Sequence, residues 1–273
     1  MFKLRLLSAA VLLPAVVLGI LFLPNFYVAI FSAIVFVLAA WEWLQMTISN
    51  ALRIRALLLV LLVLVAASLL LIGVYHCWIY YISLLWWALA FVGICYYPRG
   101  VTIWRQLFAQ PLIGLIIFVP AWLAFNSLHA QTFGPQWVLL GCALIWGADV
   151  GAYCFGKLWG KRKLAANVSP GKTWAGLYGA LLTSAIIMLI FYAYYKPAMS
   201  IWAAIWLALI TVIFAVIGDL SESMQKRIYG IKDSGKLIPG HGGVYDRIDS
   251  MLAAFPVYFV GLQILQNLRI IHI

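Results

Sequence analysis

Apolar residues fill runs of about 20 positions nine times along the chain, near residues 6–23, 26–45, 56–73, 78–96, 107–126, 137–156, 175–195, 201–219 and 250–269. That is the length an α-helix needs to cross the hydrocarbon core of a bilayer. Between the runs no polar stretch is long enough to hold a separate soluble domain. The pattern predicts an all-α, polytopic integral membrane protein with about nine transmembrane helices. Residues 1–126 read as N-terminal transmembrane helices. Residues 127–273 read as a C-terminal transmembrane half bearing two polar loops, 157–174 and 220–250.

Composition agrees. The chain is 66% hydrophobic and 9% charged, against roughly 25% charged residues in a soluble domain. Lys3 and Arg5 precede the first run, so a cleavable signal peptide is an alternative there. The run closes on Leu23-Pro24-Asn25 with no small-residue cleavage site, which favours a retained helix. Cys77, Cys95, Cys142 and Cys154 lie in or beside the runs with no C-x-x-C spacing, and read as buried apolar thiols.

A net charge of +11 raises nucleic acid as a partner, but the distribution of charge argues against it. With the N-terminus inside, all of the 18 Lys and Arg except Lys196 and Arg269 fall on the cytoplasmic side. This satisfies the positive-inside rule and predicts an N-in, C-out protein. Its partner is membrane lipid.

Acids are rarer and more informative. Glu42 is the single acid before Asn126 and reads as a partly buried interfacial carboxylate. The other six of the seven, Asp149, Asp219, Glu222, Asp233, Asp246 and Asp249, lie in the second half. Asp149 falls twelve residues beyond Trp137, well inside the membrane, where a carboxylate is a functional candidate unless a neighbouring helix binds it. Asp219 follows Gly218 at the predicted C-terminal end of its span, against the negative pole of the dipole, and needs a cation there. Asp246 and Asp249 share a face if the last helix begins near Val244. Asp219, Asp246 and Asp249 then converge at one membrane boundary. They are either a Mg²⁺ site of the kind completed by substrate phosphates or salt-bridge partners of Lys226, Arg227 and Arg247.

Gly240, Gly242 and Gly243 beside His241 make either an anion-binding nest or a tight turn, and His241 either a loop hydrogen bond or a phosphate or metal contact. "SPGKT", Ser169 to Thr173, lacks the first glycine of a Walker A loop, since Ala166 stands in its place. Ser169, Lys172 and Thr173 remain candidate phosphate ligands, while Lys161, Arg162 and Lys163 read as headgroup anchors.

"SMQKRIYGIKDSGKLIPGHGGVYDRID", Ser223 to Asp249, resembles the signature of the phosphatidate cytidylyltransferase, or CDP-diacylglycerol synthase, family. "ADVGAYCFGKLWGKRKLAANVSPGKTWAG", Ala148 to Gly176, is similar to the upstream block of that family; Gln225, Gly171 and Ala175 depart from its usual residues. The resemblance covers roughly the C-terminal half. It implies transfer of CMP from CTP to phosphatidate, giving CDP-diacylglycerol and pyrophosphate, in a bacterial inner membrane with the site facing the cytoplasm. It implies Mg²⁺ on Asp219, Asp246 and Asp249, with a second cation left open, and Asp219, Lys226, Arg227 and Asp246 as catalytic residues. Ser169, Lys172, Thr173, Ser223, His241 and Arg247 would bind substrate, and a homodimer is the family expectation. A transporter would also use an intramembrane acid such as Asp149, and a scaffold protein would leave the acids unexplained. Clustering of the acids at one boundary favours surface chemistry.

Overall fold

Each apolar run folds as helix because lipid offers no partner to an open backbone N–H or C=O. The computed structural model describes residues 13–48, 51–72, 77–101, 110–235, 237 and 242–267. In chain order these contain α1 (Leu13–Phe22), α2 (Asn25–Thr47), α3 (Leu52–Ile72), α4 (Cys77–Tyr96), α5 (Gln110–His129), α6 (Gly134–Trp159), β1 (Lys163–Ala165), β2 (Ser169–Thr173), α7 (Trp174–Tyr195), α8 (Ile201–Ile228) and α9 (Tyr245–Asn267). The eight helices α2 to α9 are long and apolar enough to cross a membrane. The chain is an all-α, multi-pass membrane protein, and α1 is the described part of the first predicted run. His241, Gly240, Lys3, Arg5, Arg105, Lys236 and Arg269 lie outside the described residues.

Local chemistry sets the helix ends. Ser200 accepts the amide of Ala203 at 3.2 Å and opens α8, as an N-cap hydroxyl does. Lys196, at φ 46°, closes α7 in the left-handed conformation, with Pro197 next. Thr173 caps α7 by accepting the amide of Gly176 at 3.1 Å.

Cross-helix bonds show which helix ends share a side. The C-terminal part of α2 meets the start of α9 through Glu42 and Tyr245. The hairpin β1–β2 touches the end of α4 through Asn167 and Tyr97, and the end of α8 through Val168 and Arg227. At the opposite end His129 of α5 bridges Asn25 and the Ile20 carbonyl. The ends of α2, α4, α6 and α8 therefore gather with the starts of α7 and α9, and the hairpin lies at that end.

Packing is tightest where glycines replace side chains. A Cβ at Gly151 of α6 would come 2.6 Å from the Gly179 carbonyl of α7, and a Cβ at Gly179 would come 2.6 Å from the Gly151 carbonyl. Small residues let helices approach in lipid, where no hydrophobic effect drives them together. Gly151→Leu is expected to cost about 1–3 kcal/mol or more by overpacking, read as a lower melting temperature of detergent-purified protein. An unchanged melting temperature would show that this contact does not hold α6 to α7.

Two predicted boundaries move. The span predicted over 201–219 continues to Ile228, so Asp219 is interior to α8 and does not face the negative pole of a helix end. Eighteen residues at 1.5 Å carry α8 about 27 Å from Ile201 to Asp219, close to one core thickness. Hydropathy falls there because the helix leaves the hydrocarbon, while the helix itself goes on. The polar loop predicted over 220–250 accordingly shortens to the connection between Ile228 and Tyr245. The predicted loop 157–174 is also ordered: Lys157 and Trp159 end α6, and "SPGKT" is strand β2, antiparallel to β1 with Lys163 opposite Thr173.

Candidate active site

Asp219, Glu222 and Lys226 follow one another at intervals of three and four on α8, so one face of that helix carries all three. Asp246 and Asp249, three apart in the first turns of α9, face it. The predicted start of this helix near Val244 agrees with its first residue, Tyr245. Gly218 lets the two helices meet at this level, since a Cβ there would lie 2.5 Å from the Asp249 carbonyl oxygen.

Carboxylate oxygens of Asp219, Glu222 and Asp249 come within 4.8 Å of one another. Glu222 and Asp249 are buried, and Asp219 is partly exposed. Lys172, on β2, pairs with Asp219. Lys226 Nζ lies 2.7 Å from Glu222 Oε2 and 2.8 Å from Asp246 Oδ1. Asp249 Oδ1 accepts the Ser250 amide at 2.7 Å.

The sequence groups Asp246 with Asp219 and Asp249 as candidate metal ligands; the carboxylates that converge are those of Asp219, Glu222 and Asp249. Asp246 is engaged by Lys226 and by two amides, Ser234 N at 3.1 Å and Gly243 N at 2.8 Å. Its reach back to Gly243 ties the start of α9 to the residue before the helix cap. The sequence shows Glu222 only as one of the acids of the second half. Its spacing of three from Asp219 and four from Lys226 carries the signal, once α8 is known to continue past Asp219.

The remaining candidates fall around this cluster. Asp149 lines a cavity of about 240 Å³ with Lys172, Thr173, Asp219 and Ser250, walled by Leu164 and Leu177. It is exposed to that cavity and interacts electrostatically with Asp219, Lys172 and Arg247. Thr173, read as a phosphate ligand, is buried and its hydroxyl oxygen caps α7. Ser169 opens β2 opposite Ala165. Arg227 is exposed and donates from Nε to the Val168 carbonyl at 3.5 Å, tying α8 to the hairpin. Ser223 is half-buried on α8 and Arg247 is exposed on α9. Gln225 is buried and accepts the Tyr245 hydroxyl at 3.2 Å, which gives this polar departure a partner.

The chain matches the model of the cytidylyltransferase family over residues 3–265. It belongs to that family. Among its relatives, the phosphatidate cytidylyltransferase of Pseudomonas aeruginosa is 39% identical, with 94% of this chain and 96% of that one aligned. The phosphatidate cytidylyltransferase of Haemophilus influenzae is 36% identical over 94% of this chain and 97% of its own. That of Staphylococcus aureus is 40% identical over 47% of this chain and 50% of its own. The match to the cytidylyltransferase family therefore includes the N-terminal helices, beyond the motif-bearing half.

Within this cytidylyltransferase the donor set suits a hard divalent cation, which takes carboxylate oxygens and keeps positions for other ligands. Glu222 Oε1 is buried with no hydrogen-bond partner. An unsatisfied buried carboxylate oxygen is costly. A cation among Asp219, Glu222 and Asp249 would satisfy it.

Proposed function

We propose that the chain transfers CMP from CTP to phosphatidate, giving CDP-diacylglycerol and pyrophosphate, at the cluster of Asp219, Glu222 and Asp249. The observation that carries this reading is the convergence of those three carboxylates beside Lys172 and Lys226, with Asp219 and Lys172 lining a cavity that has both acidic and apolar walls. A lipid phosphate and a nucleotide triphosphate have to meet at such a boundary.

In the reaction a phosphatidate oxygen forms a bond to the α-phosphorus of CTP. The bond from that phosphorus to the bridging oxygen breaks, and its electron pair leaves with pyrophosphate. Both reactants are anions. Mg²⁺ held by Asp219, Glu222 and Asp249 would screen their repulsion and polarise the α-phosphoryl group. Lys226 keeps positive charge between Glu222 and Asp246 and fixes the Glu222 carboxylate in place. Lys172 brings a second positive charge to Asp219 from the hairpin, within reach of a phosphate in the cavity. Arg227 and Arg247, exposed on α8 and α9, supply charge for the triphosphate at the rim. Positioning and electrostatics supply the rate enhancement. The excess of Lys and Arg on this side directs it to the cytoplasm, where CTP is dissolved.

The test uses purified protein with phosphatidate and CTP labelled at either the α- or the γ-phosphate. The α-label is expected in lipid and the γ-label in pyrophosphate. Nucleotide binding or flux without labelled lipid would reject the reading.

A further inference from the structure

Glu42 is misplaced for an interfacial acid. It sits on α2 in the N-terminal half and is 1% exposed, although burying a carboxylate carries a large desolvation cost. Its partners lie some two hundred residues away in the chain. Oε2 accepts the Tyr245 amide at 2.9 Å and the Ser234 hydroxyl at 3.1 Å. The first contact satisfies one of the amides that a helix leaves open in its first turn. It also puts negative charge at the positive pole of α9. The second contact holds the connection between α8 and α9 at Ser234.

Backbone approach to this carboxylate is close on two sides. A Cβ at Gly235 or at Gly243 would overlap the Glu42 carboxylate. Here the glycines of the connection are explained by space for an acid from another helix. Trp43, the next residue of α2, meets the Tyr245 ring edge-on at 5.7 Å between centroids.

From Glu42 an unbroken line of polar contacts reaches the acid cluster. Ser234, whose hydroxyl donates to Glu42, donates its amide to Asp246 Oδ2 at 3.1 Å. Asp246 Oδ1 accepts from Lys226 at 2.8 Å, and Lys226 meets Glu222 Oε2 at 2.7 Å. We infer that Glu42 is a positioning residue for the site: it fastens the connection and the start of α9, and so sets where Asp246, Lys226 and Glu222 stand. It touches neither the cavity-lining residues nor the carboxylate cluster directly. The kinetic consequence rests on the proposed transferase activity; the structural consequence does not.

Hydrogen exchange of the purified full chain without substrates separates the two. Loss of a charge-assisted bond to Tyr245 and Ser234 is expected to raise amide exchange of the peptide covering Gly243 to Arg247 about tenfold or more in Glu42→Gln. Exchange of the distant segment around His129 is expected to stay unchanged. Gly243→Ala, which crowds the same carboxylate from the other partner, is expected to raise exchange in the same peptide. Where Glu42→Gln fails to fold, Ser234→Ala removes a single arm and is expected to give the same pattern with smaller amplitude. In the transferase assay kcat falls with little change in KM for CTP. Unchanged exchange near Tyr245 in a folded Glu42 or Ser234 variant overturns the inference. So does a loss of activity accompanied by uniform exchange increases at both ends of the bundle. A wild type without transferase activity would reject the proposed reaction, and the exchange comparison would still decide the role of Glu42.

Discussion

Replacing Asp249 with asparagine is expected to lower CDP-diacylglycerol formation about a thousandfold while the protein still folds. The substitution keeps the shape of the side chain, and the amide oxygen can still accept the Ser250 amide. What is lost is one of three carboxylates whose oxygens converge within 4.8 Å, and with it a ligand able to carry charge to a cation. Charge stabilisation by a bound divalent cation is worth several kcal/mol in such a reaction, and about 4 kcal/mol is about a thousandfold in rate. Folding should suffer little, since removing one of several crowded acids relieves repulsion. The measurement is product formation at matched amounts of monodisperse protein, with melting temperature as the control. A variant within about threefold of wild type would show that Asp249 is a structural acid.

Lys226→Met is expected to damage both stability and activity. Lys226 is 15% exposed and pairs with Glu222 and Asp246, whose side chains are 2% and 8% exposed. Methionine fills similar volume but leaves two buried carboxylates facing each other without a cation. Removing one partner of a buried pair costs about 3–5 kcal/mol. The loss should appear as a lower melting temperature and a near-absence of product. Adding Glu222→Gln to Lys226→Met removes one of the stranded charges and should restore part of the stability. Activity should stay lost, because Glu222 belongs to the proposed metal set. A single variant that melts like wild type would mean that water reaches this pair and that the pairing contributes little.

Much of this site is legible from residue order, for identifiable reasons. Apolar length alone marks the membrane helices, because the bilayer sets one thickness for all of them. The spacing of Asp246 and Asp249 correctly implies one face of a helix starting near Val244. Asp219 is recognisable as a charge that needs a cation, and Lys172, read as a candidate phosphate ligand, turns out to pair with it.

Other features were hidden because they depend on where a helix stops or on contacts across the chain. Hydropathy ends α8 at Asp219, and with the helix stopped there Glu222 has no reason to face Asp249. "SPGKT" looks like a loop because Ser, Pro and Gly are turn residues, yet the hairpin register makes it a strand. Glu42 looks interfacial because tryptophans, which favour membrane interfaces, flank it at 41 and 43, yet Trp43 is buried. Its hydrogen-bond partners, Ser234 and Tyr245, are beyond any local pattern. The two backbone donors of Asp246 are equally hidden in the sequence, because they follow from the path of the glycine-bearing connection.

The difference between Glu222 and Asp246 gives the most direct test of the proposed site. CDP-diacylglycerol formation is measured against Mg²⁺ concentration for wild type, Glu222→Gln and Asp246→Asn, at matched folded protein. Glu222→Gln is expected to raise the Mg²⁺ concentration for half-maximal rate about tenfold or more, as loss of a metal-supporting group does. Asp246→Asn is expected to slow the reaction with that midpoint unchanged, because Asp246 holds Lys226, Ser234 and Gly243. A midpoint shifted by Asp246→Asn and untouched by Glu222→Gln would contradict the site proposed here.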